Sequence, residues 1–162
     1  VLGAIESGGG GCACPENVLL RALVGDLVLR KDDAVFLDME AGVEHLGRAT
    51  ARGVDALLVV VEPSRNAVDC ARRIRRMAKE VGIVNVRLVA NKVTTPDDRT
   101  FCAEALPETE LIACIPYADS IRRCDRNGAS VLDHLESEPM AAFEQLLQTL
   151  ESYRKAPERK IT

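Results

Sequence analysis

The sequence predicts an α/β fold in which a mostly parallel sheet has helices on both of its faces. Short apolar runs recur along the 162 residues, and segments with helical spacing lie between most of them. The runs are apolar at every position rather than at alternate ones, as in the run ALLVVV. Strands of this kind are buried on both faces, which is typical of a parallel sheet covered by helices. The runs are residues 1–5, 34–37, 56–61, 86–90 and 111–115.

Two helices are predicted from apolar residues that repeat on one face. One spans about residues 66–81, where Val68 and Ala71 begin the apolar face and the arginines mostly lie elsewhere. The other spans about residues 140–153 and follows Pro139, at a position where proline is favoured in the first turn. Both helices therefore have one face that can pack against the sheet.

Composition favours a single cytoplasmic domain. A 47% hydrophobic chain of this length can bury one sizeable core, so we expect one domain over residues 1–155 and a frayed tail at 156–162. The apolar runs are of strand length, and no secretory signal is recognisable, so neither a membrane association nor export is expected. The six cysteines lie mostly within periodic segments, which indicates reduced thiols. The net charge of −4 does not favour a nucleic-acid partner.

Residues directly after the predicted strands are candidates for ligand binding, because ligands of such sheets bind where the strands end. Asp38 ends the second run, and Gly42 follows four residues later. A carboxylate there can hold a Mg²⁺-bound water, and a glycine lets a backbone N–H approach a phosphate. Asn91 ends the fourth run with an amide that can pair with a purine edge, and Pro116 ends the fifth. These ends converge on one crevice.

Cys12 and Cys14 follow four consecutive glycines and stand directly before Pro15. A disulfide across one intervening residue would need strained geometry. The residues alone leave a metal-ligand pair, a redox pair, and two small buried apolar side chains as interpretations.

Several segments together resemble a known family. The segments LDMEAGVEHLGRATARGVDALLVVVEPSRNAV, VANKV and IPYADSIRRCDRNGASVLD resemble the MinD-like branch of the deviant P-loop ATPases. The segment GGGGCACPENVLLRALV is similar to the CooC accessory ATPases, which help insert nickel into carbon monoxide dehydrogenase. The resemblance runs from about Glu6 to Asp133. It implies an ATP-driven homodimer whose Cys-x-Cys pairs meet across the two-fold axis, with carbon monoxide dehydrogenase as the receiving partner.

The resemblance also implies roles for individual residues. Asp38 would organise Mg²⁺, and Gly42 would be the switch glycine beside the terminal phosphate of ATP. Cys12 and Cys14 would bind Ni²⁺ or Zn²⁺. The residues implied for the base end of ATP or ADP are Asn91, Lys92, Pro116 and Tyr117.

Thiol chemistry is consistent with this metal site. Two thiolates from each of two chains complete a four-thiolate shell suited to Zn²⁺ or, in flatter geometry, Ni²⁺. Cys14 is at a predicted helix N-cap, where the helix dipole favours the thiolate that binds metal.

Two departures from the family pattern affect the predicted activity. No Gly-Lys-Thr or Gly-Lys-Ser phosphate loop occurs in these 162 residues, and the glycine run before Cys12 has no lysine. We therefore expect this chain to be the C-terminal two-thirds of a CooC-like protein and to be inactive in ATP hydrolysis by itself. In addition, Ala118 stands where related ATPases often have aspartate, and Asp119 comes one place later.

Alternative interpretations stay open at this level. A MinD-like or ParA-like positioning ATPase would use an amphipathic C-terminal helix at a membrane, although the basic residues here begin only at Arg154. A nitrogenase-reductase-like iron–sulfur carrier would have its ligating cysteines far apart in sequence. His45 fits either a ligand or a solvated side chain, and the arginine-rich residues 71–80 fit either a solvated face or a surface for an acidic partner.

Overall fold

The computed structural model describes residues 34–38 and 55–154. The chain divides into two compact units, Val1–Val54 and Asp55–Thr162, so residues 34–38 belong to the first unit and the remaining described residues to the second. The elements of the second unit are β1 (Leu57–Val61), α1 (Arg65–Glu80), β2 (Val86–Val93), α2 (Pro96–Ala105), β3 (Leu111–Pro116), α3 (Asp119–Asn127) and α4 (Ser137–Arg154).

The three strands form one parallel sheet in the order β1-β2-β3. The β1–β2 ladder is regular, running from the pair Leu57 and Val86 to the pair Val61 and Ala90. Each strand is followed by a helix before the next strand begins. This alternation confirms the α/β class and the parallel sheet predicted from the apolar runs.

Helices cover both faces of the sheet, as predicted. On one face, Val59 and Leu88 pack with Ala71 of α1 and Cys102 of α2. On the other face, the strands pack against α4. The buried strand residues of this second core are Val89, Ile112, Ala113 and Ile115, and their α4 neighbours are Ala142, Leu146, Leu150 and Tyr153. Both cores contain residues of β2, the central strand.

A β-bulge in β3 changes which residues reach each core. Leu88 pairs with Leu111, but Val89 pairs with Ala113, so Ile112 is an extra residue on β3. As a result Ile112 and Ala113, although consecutive, lie in the same core and are both buried. The all-apolar sequence of this strand tolerates the irregularity, because either face receives an apolar side chain.

The helix ends follow local sequence signals. Ser64 caps α1 by accepting a hydrogen bond from the N–H of Ala67 at 3.3 Å. Thr95 and Asp98 form a capping box at α2. Gly128 ends α3 with a φ of 63°, a left-handed conformation that glycine adopts without steric cost.

The predicted helix bounds are close to those observed. The helix expected over residues 66–81 is α1, at Arg65–Glu80, and Val68, Ala71 and Ala78 are its buried residues, as predicted. The helix expected over residues 140–153 is α4, which begins three residues earlier, at Ser137. Pro139 is buried within the first turn of α4 and is compatible with helix there because first-turn N–H groups have no intrahelical acceptor.

One predicted strand is not observed, and another cannot be compared. Residues 34–38 include the apolar run 34–37, but they form no strand, and Phe36 is 68% exposed. An extended segment becomes a strand only when a neighbour completes its hydrogen bonds, so an apolar run by itself does not determine a strand. The predicted strand at residues 1–5 and the tail at 156–162 lie outside the described residues.

The C-terminal end of α4 is held to the sheet by a polar cluster. The guanidinium of Arg87 lies 4.9 Å from the centre of the Tyr153 ring, and the Tyr153 hydroxyl donates to Glu110 Oε2 at 3.2 Å. Arg87 Nε is 3.3 Å from the same carboxylate but in a geometry that makes no hydrogen bond. This cluster fastens the last turns of α4 across β2 and β3.

Among the helices in residues 55–154, none combines the length and apolarity that crossing a bilayer requires.

Replacing Leu88 with alanine tests whether β2 is the centre of the core. Leu88 is fully buried, so we expect Leu88→Ala to reduce the free energy of unfolding by about 2–5 kcal/mol, through lost burial and the cavity left behind. Leu132 is 75% exposed, and Leu132→Ala is a matched control that should have little effect. Urea unfolding followed by circular dichroism measures both changes. Equal effects of the two substitutions on the free energy of unfolding would contradict the placement of β2 at the centre of the core.

Candidate functional site

The ends of β2 and β3 bring four of the predicted site residues together. Asn91 and Lys92 lie near the carboxyl end of β2, Pro116 ends β3, and Tyr117 follows it directly. Val93 pairs with Pro116, and its carbonyl accepts a hydrogen bond from the N–H of Tyr117 at 2.9 Å. The prediction that these strand ends converge is therefore confirmed for β2 and β3.

A second bulge shapes the end of β2. Ala90 pairs with Cys114 and Val93 pairs with Pro116, so β2 has one more residue than β3 in this interval. Lys92 has a φ of 56°, and it is the only non-glycine residue with positive φ among the described residues. This left-handed conformation costs a residue with a Cβ roughly 1–2 kcal/mol. Unfavourable backbone geometry of this kind occurs often at functional sites.

Two contacts hold Lys92 in this conformation. Its backbone N–H donates to Asn91 Oδ1 at 3.0 Å, and its Nζ donates to Glu62 Oε1 at 2.5 Å. The Lys92 and Glu62 side chains are about half exposed, so this ion pair contributes at most roughly 1 kcal/mol. Glu62 directly follows β1, and the ion pair therefore ties the end of β1 to the bulge in β2.

Sequence reasoning missed Glu62. The signal available was an acidic residue at the end of the run ALLVVV, in the same strand-end position that drew attention to Asp38 and Asn91. Its partner could not be identified from the sequence, because the Lys92 backbone that brings the two charges together depends on the bulge.

The hydrogen bond within the bulge also fixes the orientation of the Asn91 amide. A backbone N–H requires an acceptor, so Oδ1 must face the main chain at Lys92 and Nδ2 must face away. Within residues 34–38 and 55–154, Nδ2 makes no hydrogen bond. Asn91 is half-buried, and it thus presents an N–H donor at the strand end, suited to an acceptor such as a purine ring nitrogen.

On the β3 side the site presents an aromatic ring and an occupied carboxylate. Tyr117 is 48% exposed, so part of its ring is available for stacking. The Asp119 carboxylate accepts hydrogen bonds from Arg122 Nη2 at 2.6 Å and from Nε at 2.9 Å. This guanidinium holds the pKa of Asp119 below its usual range. Related ATPases often have an aspartate at the position of Ala118, and this chain has one at the next position instead. That carboxylate, Asp119, is already paired with Arg122 within α3.

The loop that leaves the site is fastened by Asp98. Oδ2 of Asp98 accepts from the hydroxyl of Thr94 at 2.6 Å, from its N–H at 2.8 Å, and from the N–H of Thr95 at 3.0 Å. These bonds, first of all the one from the Thr94 hydroxyl, lower the pKa of Asp98. The chain is thus held immediately after the bulged end of β2.

The remaining predicted site residues do not belong to the described part of the second unit. Asp38 is exposed and belongs to the first compact unit. Gly42, His45, Cys12 and Cys14 lie outside the described residues. In residues 34–38 and 55–154 there is no group of three or more side chains able to hold a metal ion.

The cysteines that the structure describes are reduced. Cys102 and Cys124 are buried, Cys114 is half-buried and Cys70 is exposed. Burial raises the pKa of Cys102 and of Cys114, which keeps both as neutral thiols. Three of the four are therefore placed as small core residues.

Comparison with known proteins gives the family. No family model matches the chain. An uncharacterized ATP-binding protein of Methanocaldococcus jannaschii is 36% identical over 149 residues, covering 90% of this chain and 57% of that protein. The carbon monoxide dehydrogenase accessory protein CooC of Rhodospirillum rubrum is 35% identical over 133 residues, covering 82% of this chain and 51% of that protein. The chain belongs with the CooC/MinD-like ATPases.

The fold agrees with this relationship. The MinD cell division protein of Aquifex aeolicus superposes with a TM-score of 0.53, covering 63% of this chain and 46% of that one. At 16% identity this similarity concerns the fold alone. The CooC/MinD-like chain spans about half the length of the curated relatives that it matches.

Two substitutions at Lys92 test the bulge. Both substitutions remove the ion pair to Glu62, so they differ only in the backbone. Glycine adopts positive φ without steric cost, whereas alanine retains that cost. We expect Lys92→Gly to be about 1 kcal/mol more stable to urea than Lys92→Ala. At an ordinary position in a strand, glycine would instead be the less stable of the two. That reverse order would contradict the left-handed assignment.

Proposed function

We propose that this chain is part of an accessory ATPase that inserts nickel into carbon monoxide dehydrogenase. The similarity to CooC over 82% of the chain is the observation that carries this proposal. In this function nickel is the cargo, ATP is the energy source, and carbon monoxide dehydrogenase is the receiving partner. The protein would work as a homodimer in the cytoplasm.

The strand ends would form the base end of the nucleotide site. Asn91 would donate from Nδ2 to a purine ring nitrogen, and the half-exposed ring of Tyr117 would offer a stacking surface. Lys92 and Pro116 would shape the edge of the site. The matched relatives described as ATP-binding proteins support a nucleotide here.

The phosphate end would use residues of the first unit together with a loop from outside these 162 residues. Asp38 offers the hard oxygen ligand that suits Mg²⁺, and Gly42 would allow its N–H close to the terminal phosphate. When bound, Mg²⁺ neutralises charge that develops on the phosphates. Since no Gly-Lys-Thr or Gly-Lys-Ser occurs in the sequence, the loop that cradles the phosphates would be supplied from elsewhere in the protein.

Cys12 and Cys14 would hold the metal between two chains. Each chain contributes two thiolates, soft ligands that suit Ni²⁺ or Zn²⁺, and a two-fold axis supplies the other two. ATP binding would favour the dimer and so bring the two pairs together. Metal binding and nucleotide binding would then stabilise the same assembly.

A positioning ATPase that attaches to a membrane through α4 receives less support. Ala142, Leu146 and Leu150 of α4 pack on the sheet, which leaves Phe143 and Leu147 as its exposed large apolar residues and no broad apolar face for a bilayer. The iron–sulfur alternative has no supporting observation among the described residues.

ATP affinity should depend on both ends of the proposed site. We expect the 162-residue chain to bind ATP weakly or not at all, because most of the affinity comes from the phosphates. In a protein that also has the phosphate loop, Asn91→Ala should weaken ATP binding about three- to ten-fold, the loss expected for one hydrogen bond. Binding of inorganic tripolyphosphate should not change.

Isothermal calorimetry measures these affinities, and Asn66→Ala is the matched control because Asn66 is exposed at the start of α1. Submicromolar ATP binding by the 162-residue chain alone would show that the phosphate site has been misplaced. An equal loss of tripolyphosphate binding in Asn91→Ala would remove Asn91 from the base end.

Metal stoichiometry tests the Cys-x-Cys proposal. We expect one Ni²⁺ or Zn²⁺ per two chains, with a matching increase in mass by light scattering in the presence of ATP. Cys12→Ser or Cys14→Ser removes two of the four ligands at once, so the loss of binding should be nearly complete. Affinity should fall as the pH drops through the thiol pKa, because each thiolate must lose a proton to bind.

Cys70→Ser is the control, since Cys70 is exposed and belongs to no group of three or more potential metal ligands in the described part of the chain. Metal bound by each chain without dimer formation would exclude the shared site. Undiminished binding by a variant with both Cys12 and Cys14 replaced would do the same.

A further inference from the structure

A stripe of cations runs along one face of α1. Arg72, Arg75, Arg76 and Lys79 follow the spacing of three and four residues that places side chains on one helical face. All four line an open groove of about 960 Å³. Its other lining residues come from the segment between α1 and β2, from the start of β2, and from the last residues of α2 with the turn that joins it to β3. We call it the basic groove.

Contacts within the chain anchor half of the stripe. Arg72 Nη1 lies 2.9 Å from Asp69 Oδ1, and its Nε donates to the carbonyl of Ala105 at 3.2 Å. Arg75 pairs with Glu108 across the groove. Arg76 and Lys79 make neither an ion pair nor a side-chain hydrogen bond with any residue that the structure describes. Two cations are therefore fixed in place, and the other two form no ion pair within that part of the chain.

The groove has a local excess of positive charge in a protein of opposite sign. Five cationic side chains line it, with Arg87 in addition to the four of α1, against the two carboxylates Glu104 and Glu108. Arg72 and Arg87 also have partners outside the lining, Asp69 and Glu110, so the excess rests on Arg76 and Lys79. The whole chain has a net charge of −4. The hydrogen bond from Arg75, and then the charge of Lys79, hold the pKa of Glu108 below its usual range. Glu108 is therefore ionised, and its negative charge is already included in this balance. A field of this kind attracts anionic partners and orients them.

An apolar surface adjoins these charges. Val84, which lines the groove, is 89% exposed, the highest exposed fraction of any large apolar residue among those described. Pro107 is also exposed on the lining. A ligand with only negative charges would leave this surface in water, whereas one with an apolar side chain would cover it.

From charge and apolar surface together, we infer that the basic groove binds an acidic segment of a partner protein that contains at least one apolar side chain. Opposite charges would set the position of the segment, and burial against Val84 would add affinity. Residues 155–162 of this chain are not suitable occupants, since Lys155, Arg159 and Lys160 outnumber Glu158. The lining has no aromatic residue on which nucleic-acid bases could stack.

The probe is a fluorescent peptide rich in glutamate with one central leucine, added to the 162-residue chain and followed by fluorescence anisotropy. We expect saturable binding that weakens as salt is added. Replacing Arg76 and Lys79 together with glutamine should lower the affinity about three- to ten-fold. Both side chains are exposed, so circular dichroism should show an unchanged fold.

The matched control replaces Arg73 and Arg126 with glutamine. Both are exposed, neither lines the groove, and the change in net charge is the same. The control should keep the affinity within about two-fold, the range typical of rim charges. Equal losses in the two double variants would mean that only bulk charge attracts the peptide, and the inference would fail.

The apolar contribution has its own test. Val84→Ser should weaken binding of the leucine peptide about three-fold and should leave a peptide with serine in place of leucine unaffected. Leu132→Ser, at an exposed residue away from the groove, is the control. If Val84→Ser has no effect on the leucine peptide, the groove does not recognise an apolar side chain, and the inference is wrong in that part.

Two further outcomes would overturn the choice of occupant. Polyphosphate or single-stranded oligothymidylate that binds as tightly as the peptide, with the same dependence on Arg76 and Lys79, would indicate a general polyanion site. A mass twice that of the chain by light scattering, abolished by the Arg76 and Lys79 substitutions, would indicate that a second copy occupies the groove.

Discussion

Double burial of the central strand is the constraint on which the rest of the described fold depends. Strand β2 is hydrogen-bonded to β1 on one edge and to β3 on the other, and its residues Leu88 and Val89 face opposite cores. Helices α1 and α2 lie over one core and α4 over the other. With its edges and faces occupied, β2 can meet solvent only at its ends, and its carboxyl end is where Asn91 and Lys92 lie.

The two bulges are related through this strand. The extra residue in β3 at Ile112 changes the pairing offset between β2 and β3, and the extra residue in β2 at Asn91 and Lys92 restores it at the pair of Val93 and Pro116. Pro116 and Tyr117 therefore reach the same level as the end of β2. The cost of positive φ at Lys92 is offset by the amide of Asn91 and the carboxylate of Glu62, so the site residues also hold one another in place.

Charge distinguishes the strand-end site from the basic groove. At the strand ends, the cations Lys92 and Arg122 are paired with Glu62 and Asp119, which leaves neutral donors and an aromatic ring to meet a ligand. In the basic groove, Arg76 and Lys79 have no such partner within residues 34–38 and 55–154. A neutral site suits the base of a nucleotide, and an unpaired basic surface suits an acidic protein segment. The two surfaces can therefore serve different ligands of one protein.

The sequence by itself determined the α/β class, the bounds of α1 to within one residue, and the position of Pro116 at the end of a strand. These features depend on local apolar runs and helical spacing, which can be read without knowing what packs against them. Asn91, predicted to end its strand, lies two residues before the end of β2, which continues to Val93. Only the tertiary structure decided the two bulges, the positive φ of Lys92, the ion pair to Glu62 and the joining of α1 to the α2–β3 turn in one groove. Each of these depends on residues far apart in sequence, from 23 positions for Val93 and Pro116 to 33 for Arg75 and Glu108, whose distance is set by the register of the parallel strands. The apolar run at residues 34–37 illustrates the limit, since its pattern is that of a strand but these residues form none.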